Sequence, residues 1–154
     1  ETQYAELLRQ GNASQTCILC YEDLRRREQI IHCETHDWIL LKSIQPYNDQ
    51  LGRPPVHHVL IVPKRHLTDE LEMTDDDGRQ VMLLFRWARE HLKMQYGMLF
   101  IRFGNAAVCR KAGRTLPHIH FHINQPHDGD TAALLVPSGR FLHPHEIEEA
   151  KAKA

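Results

Sequence analysis

Histidines stand at alternate positions in His118-Ile119-His120-Phe121-His122, with apolar residues between them and Ile123 after. A period of two is the period of a β-strand, so this stretch predicts a strand with three imidazoles on one face and Ile119, Phe121 and Ile123 in the core. The imidazoles would then stand roughly 7 Å apart, two strand rises per step. An uncharged imidazole near neutral pH can be nucleophile, proton carrier or metal ligand, which makes the row a candidate reaction centre. Two plainer readings compete with it: a strand that turns polar side chains to solvent, and a bare zinc site built on His-x-His.

The rest of the chain limits what such a strand can belong to. At 154 residues it is most simply one domain, 1–154, long enough to bury a substantial core. With 19 Lys+Arg against 20 Asp+Glu the formal net charge is −1, so no overall field points to nucleic acid or a membrane surface as partner. No apolar run approaches the ~20 residues of a membrane span. Because the chain begins at Glu1, removal of a leader stays open. Cys17 and Cys20 form a C-x-x-C while Cys33 and Cys109 stand apart, which suggests a reducing, cytoplasmic setting and a metal site more than a disulfide framework. Ordinary thiols or a redox disulfide are the competing readings of the pair.

Periodicity and turn chemistry outline an α+β chain. A short helix over Gln3–Gln10 is expected to break at Gly11-Asn12. Strands are expected over Gln29–Cys33 and Trp38–Ile44 as a hairpin, then over His57–Val62, after a Pro-rich loop from Gln45 to Pro55. Val81, Leu84, Phe85, Ala88 and Leu92 fall at helical spacing, predicting an amphipathic helix from Asp75 to Tyr96, capped by Thr74 and ended by Gly97. The Asp75-Asp76-Asp77 triplet suits the positive end of that helix. A fourth strand follows over Met98–Phe103. Pro144 suits the first position of a small terminal helix, with Lys151 and Lys153 in its last turn. Between Gly104 and Pro117 a loop carries Asn105, Arg110, Lys111, Gly113, Arg114 and Thr115, a set that can wrap a phosphate beside the histidine strand.

Taken together, His118–Ile123, the preceding Ala112-Gly113-Arg114-Thr115, the upstream Val59-Leu60-Ile61-Val62-Pro63-Lys64-Arg65-His66 and the C-x-x-C resemble the histidine triad (HIT) family of nucleotide hydrolases and transferases. Order and spacing match from Cys17 to about Gln125, leaving 126–154 as a C-terminal extension. The resemblance implies an antiparallel sheet carrying one long helix, in a homodimer. It also implies a nucleotide hydrolase in which His120 attacks the α-phosphorus of a nucleotide ester, anhydride or phosphoramidate and forms a nucleotidyl-histidine. His122 would contact the phosphoryl oxygens and assist the leaving group. Asn105, Arg114, Thr115, Ser43 and His58 would serve substrate binding or support the triad. In the family's zinc-bearing bacterial branch, the positions of Cys17, Cys20, His66 and His118 hold one structural zinc per chain.

The chain departs from the family pattern in places. Gly113-Arg114-Thr115 stands where Gly-Gln-Ser/Thr is common, and a guanidinium fork differs from an amide. Ser43 stands where many members carry an acidic residue for ribose hydroxyls, and Ile123-Asn124 replaces an apolar pair. Two further functions therefore stay in play: nucleotidyl transfer to phosphate or a sugar phosphate, and a non-catalytic dimeric module that binds a nucleotide.

Overall fold

The computed structural model describes residues 3–14, 16–128, 136 and 144–153. In chain order the elements are α1 (Gln3–Ser14), α2 (Tyr21–Arg26), β1 (Ile31–Glu34), β2 (Trp38–Lys42), β3 (His57–Pro63), α3 (Asp75–His91), β4 (Met98–Ile101), β5 (Phe121–Gln125) and α4 (Pro144–Lys153). Short 3-10 turns occupy Glu70–Glu72 and Cys109–Ala112. The strands form one antiparallel sheet in the order β1-β2-β3-β5-β4, with α3 as its long helix, so the expected α+β architecture is the observed one. Among the described residues no helix is long and apolar enough to cross a membrane.

Alternation along the strands sorts side chains onto two faces. Trp38, Leu40, Val59, Ile61, Ile119 and Ile123 pack beneath α3, where Val81, Leu84 and Ala88 meet them. Ile39, Leu41, Leu60 and Val62 point the other way, against Ile18, Leu19 and Leu24 of the N-terminal segment. Each of those three side chains contributes about 1.5–3 kcal/mol through burial, before the entropy of ordering the segment is set against it. Leu60 pairs with His122, which pairs with Phe100, so His58, His122 and Phe100 share this second face. The sheet thus keeps an apolar face for its helix and divides the other between a small apolar cluster and the histidines.

The start of α3 is a reciprocal cap: Thr74 Oγ1 accepts from the Asp77 amide at 3.1 Å while Asp77 Oδ2 accepts from the Thr74 amide at 2.8 Å. Asp77 does more than complement the helix dipole. It also accepts from the Trp38 indole at 2.8 Å and from both Arg65 guanidinium nitrogens at 3.0 and 2.7 Å. The Arg65 hydrogen bonds outweigh burial and hold the Asp77 carboxyl well below the usual carboxylate range.

Several boundaries differ from the expected ones, each for a local reason. α1 runs through Gly11 to Ser14, and that glycine serves packing rather than termination: a Cβ there would lie 2.8 Å from Ile18 Cγ2. α2 and the two 3-10 turns had no periodic signal, being one or two turns long. α3 ends at His91, short of Tyr96. Lys93 adopts φ 56° and Met94 turns inward, buried, with its carbonyl accepting from Arg89 Nε at 3.2 Å. Gly97 sits instead at the β4 entrance with φ 146°, where a Cβ would fall 2.2 Å from the Asn124 carbonyl oxygen. The histidine strand is regular only from Phe121, so His118 and His120 lie on the approach to it. Residues 129–135 and 137–143 of the expected C-terminal extension lie outside the described residues.

Candidate active site and metal centre

The segment from His118 to His122 joins two clusters of polar side chains. At its first end, Cys17, Cys20, His66 and His118 bring one ligand atom each to within 4.8 Å of one another. The Cys20 amide donates to the Cys17 carbonyl at 3.1 Å, a turn that brings both thiols to one side. The Ile119 amide donates to Leu67 O at 2.8 Å, which sets His118 beside His66. Cys17 Sγ lies 3.3 Å from His118 Nδ1, and Cys20 Sγ lies 3.3 Å from His66 Nδ1 and 3.7 Å from His118 Nδ1. The sulfur-to-nitrogen edge of a tetrahedral zinc site is roughly 3.6 Å, given Zn–S near 2.3 Å and Zn–N near 2.0–2.1 Å.

The protonation pattern suits a cation as well. His118 Nε2 donates to the Pro63 carbonyl at 2.9 Å, which leaves the Nδ1 lone pair aimed at the thiols. Burial, then the neighbouring Cys17, pushes the Cys20 thiol up to about 12. A divalent cation opposes both effects and holds coordinating thiols deprotonated.

Two residues on, the pattern inverts. His120 Nδ1 donates to the His118 carbonyl at 3.0 Å, so its lone pair is on Nε2. Burial first, then the cationic Arg114 and Arg102, pulls His120 down to about 4, leaving the ring uncharged at neutral pH. An oriented, uncharged imidazole with a free nitrogen is a nucleophile.

His122 is held by a relay that reaches it along its own face of the sheet, from β3. The Tyr47 amide donates to His58 Nδ1 at 3.3 Å, so His58 carries its proton on Nε2 and donates to His122 Nδ1 at 3.0 Å. His122 therefore bears its proton on Nε2, 3.4 Å from Arg102 Nη1. The ring is stacked on Phe100 at 4.7 Å and tilted only 4°, and lies 5.5 Å from the Tyr47 ring. Burial brings His58 down to about 3 and His122 lower still, with neighbouring imidazoles and Arg102 adding to both.

The other expected site residues fall in varied places. Ser43 lies beside His58, its amide donating to the His58 carbonyl at 3.0 Å and its Oγ accepting from the Gln45 amide at 3.3 Å. Thr115 is exposed three residues ahead of His118. Arg114 has partners other than the phosphate expected for it. It is 1% exposed, ion-paired to Glu70, and donates to the carbonyls of Arg102 at 3.1 Å, Thr68 at 3.0 Å and Gly104. A guanidinium so enclosed fastens the loop to the sheet. Asn105 is exposed and caps a turn, Oδ1 accepting from the Ala107 amide at 3.0 Å.

Sequence reading passed over Tyr47, Phe100 and Arg102, which surround His122. Parity was the available signal: Phe100 and Arg102 alternate in an expected strand, so once its register against β5 is known both fall on the histidine side.

The HIT domain profile matches residues 52–128. No curated protein matches the chain. Among solved structures, a histidine triad nucleotide-binding protein from Candida albicans superposes with a TM-score of 0.59 at 20% identity, covering 90% of this chain and 94% of its own. A Zn-bound histidine triad family protein from Mycobacterium smegmatis gives 0.57 at 18%, covering 92% of this chain and 99% of its own. A hypothetical protein from Leishmania major gives 0.57 at 19%, covering 91% of this chain and 94% of its own. At such identities these likenesses establish the fold.

Proposed function

The chain belongs to the HIT domain family, generally nucleotide hydrolases and transferases, and from that premise we propose that it hydrolyses a nucleotide at the α-phosphorus through a covalent intermediate on His120. The observation that carries this reading is the His120 tautomer: Nδ1–H is tied to the His118 carbonyl and the Nε2 lone pair is free. His120 Nε2 forms a bond to phosphorus as the bond to the leaving group breaks, and water then opens the nucleotidyl-imidazole and releases a nucleoside monophosphate. Charge gathering on the phosphoryl oxygens meets the His122 Nε2–H donor. His58 is a positioning residue, since it acts through His122. Thr115 and Ser43 serve as further substrate contacts.

Cys17, Cys20, His66 and His118 are the residues that would hold a zinc ion. Two thiolates and two imidazoles complete a tetrahedron with no open position, so zinc there supplies anchorage of the N-terminal segment to the sheet. The M. smegmatis relative, being Zn-bound, supports this assignment.

The test is turnover of dinucleoside polyphosphates, nucleoside phosphoramidates and nucleotide sugars, with products read by mass for wild type and His120→Asn. Nucleoside monophosphate formed by wild type alone is the expected result. Full activity in His120→Asn overturns the covalent mechanism, and ligand binding without any product favours a non-catalytic module. Capture of the intermediate by phosphate or a sugar phosphate faster than by water would make the protein a transferase.

A further inference from the structure

We propose that Arg102 determines leaving-group specificity: with His122 it forms a two-donor cradle for an oxygen of an anionic leaving group, and so selects phosphoanhydrides over phosphoramidates. The proposal rests on the reading of His120 as the group that attacks phosphorus. Its basis is a meeting of two donors. The relay from the Tyr47 amide through His58 leaves His122 with its proton on Nε2, and the nearest Arg102 nitrogen, itself only a donor, stands 3.4 Å away. Two N–H groups converging at that distance do not satisfy each other, whereas an oxyanion accepts from both.

Arg102 is built into the site. It is 9% exposed, its Nη1 donates to the Tyr47 hydroxyl at 2.9 Å, and its guanidinium lies over the Tyr47 and Phe100 rings at 5.5 and 5.3 Å. A cation so enclosed interacts strongly with a neighbouring negative charge, because little water screens the pair.

The chemistry of the leaving group decides which substrate benefits. In a phosphoanhydride the His120 nitrogen forms its bond to the α-phosphorus, the bridging P–O bond breaks, and the electron pair stays on the leaving phosphate oxygen. That oxygen leaves charged and needs stabilisation without a proton. In a phosphoramidate the P–N bond breaks and the amine must be protonated as it departs. His122 is a poor source, since its Nδ1 only accepts a hydrogen bond and surrender of the Nε2 proton would leave an imidazolate. His58 cannot replace the proton without becoming an imidazolate in turn. Burial keeps both rings uncharged, consistent with this arrangement.

The experiment compares kcat/KM for a dinucleoside polyphosphate and a phosphoramidate of the same nucleoside in wild type, Arg102→Gln and Arg102→Lys. Arg102→Gln is expected to lose on the order of 100-fold on the anhydride, the scale for removing one oxyanion donor, and markedly less on the phosphoramidate. Arg102→Lys should recover part of the loss, as a point charge without the fork. Equal loss on both substrates, or no loss on either, overturns the proposal. A binding arm separates it from the hydrolase reading. In the His120→Asn background, Arg102→Gln should weaken a methylene-bridged dinucleoside polyphosphate far more than the nucleoside monophosphate, measured by calorimetry. If wild type turns over neither substrate, hydrolysis fails while selective loss of the bridged analogue still supports the cradle. Equal affinities with and without Arg102 sink it. Arg102→Lys, which keeps the buried charge, carries the same comparison if Arg102→Gln does not fold.

Discussion

His118 and His120 are the same residue type, two positions apart, both buried and both uncharged at neutral pH, yet their protons sit on opposite nitrogens. His118 gives Nε2–H to the Pro63 carbonyl and turns Nδ1 toward two thiols, whereas His120 gives Nδ1–H to the His118 carbonyl and leaves Nε2 open. One backbone oxygen apiece suits the first to ligation and the second to nucleophilic attack. Residue identity sets what an imidazole can do; the carbonyl behind it sets which task it takes.

The largest effect should come from separating the two tasks. His120→Asn is expected to lower turnover by on the order of 10⁴-fold or more while metal content and melting temperature stay near wild type. His118→Asn should do the reverse, losing metal and stability first. Identical phenotypes for the two variants would erase the distinction. Next comes the metal itself. Cys17→Ser, or prolonged chelation, should take zinc from about one per chain toward none. The loss should cost roughly 4 kcal/mol, as removal of a structural metal can, with proteolysis entering the N-terminal segment before the sheet. Metal-free protein with an unchanged denaturant midpoint would refute that role.

Acid sharpens the contrast at the far end of the strand. His58 falls to about 3 in the fold from its ordinary 6.5, so between those values the unfolded chain holds the extra proton. Its contribution is intact above pH 6.5 and is lost as the pH falls toward 3. Lowering the pH from 6.5 to 5 should cost about 2 kcal/mol for such a group, at ~1.4 kcal/mol per pH unit. Urea midpoints at pH 7 and 5 should therefore fall less steeply in His58→Gln than in wild type; parallel slopes would mean that His58 titrates as it does in water. The smallest effect belongs to the other face of the sheet. Thr74→Ala should cost about 1 kcal/mol through the lost cap and move neither metal content nor turnover.

What could be read in advance was what repeats. The alternation at His118–His122 and the spacing of Val81, Leu84 and Ala88 are local periodicities, and both appear in the fold as strand approach and helix. The metal quartet was legible only through family resemblance, because His66 and the cysteines meet His118 across more than 50 residues of chain, and spacing cannot reveal that. The partners of Arg114 were out of view for a related reason: nothing near it in sequence shows that Glu70 and three carbonyls await it. Tautomers were out of reach altogether, since they depend on Pro63 O and the Tyr47 amide, backbone groups that no side-chain pattern encodes.

The cap of α3 also gives the protein an optical signature. Trp38 is fully buried with its indole N–H on Asp77, whereas Trp87 is partly exposed and stacked on His91 at 4.4 Å. The two indoles report on different things. Emission from Trp38 should be blue-shifted, closed to acrylamide and lost only when helix and sheet separate, whereas emission from Trp87 should be reachable by the quencher while the fold is intact. Quenching of one fluorescence spectrum therefore distinguishes loss of the fold from events at its surface.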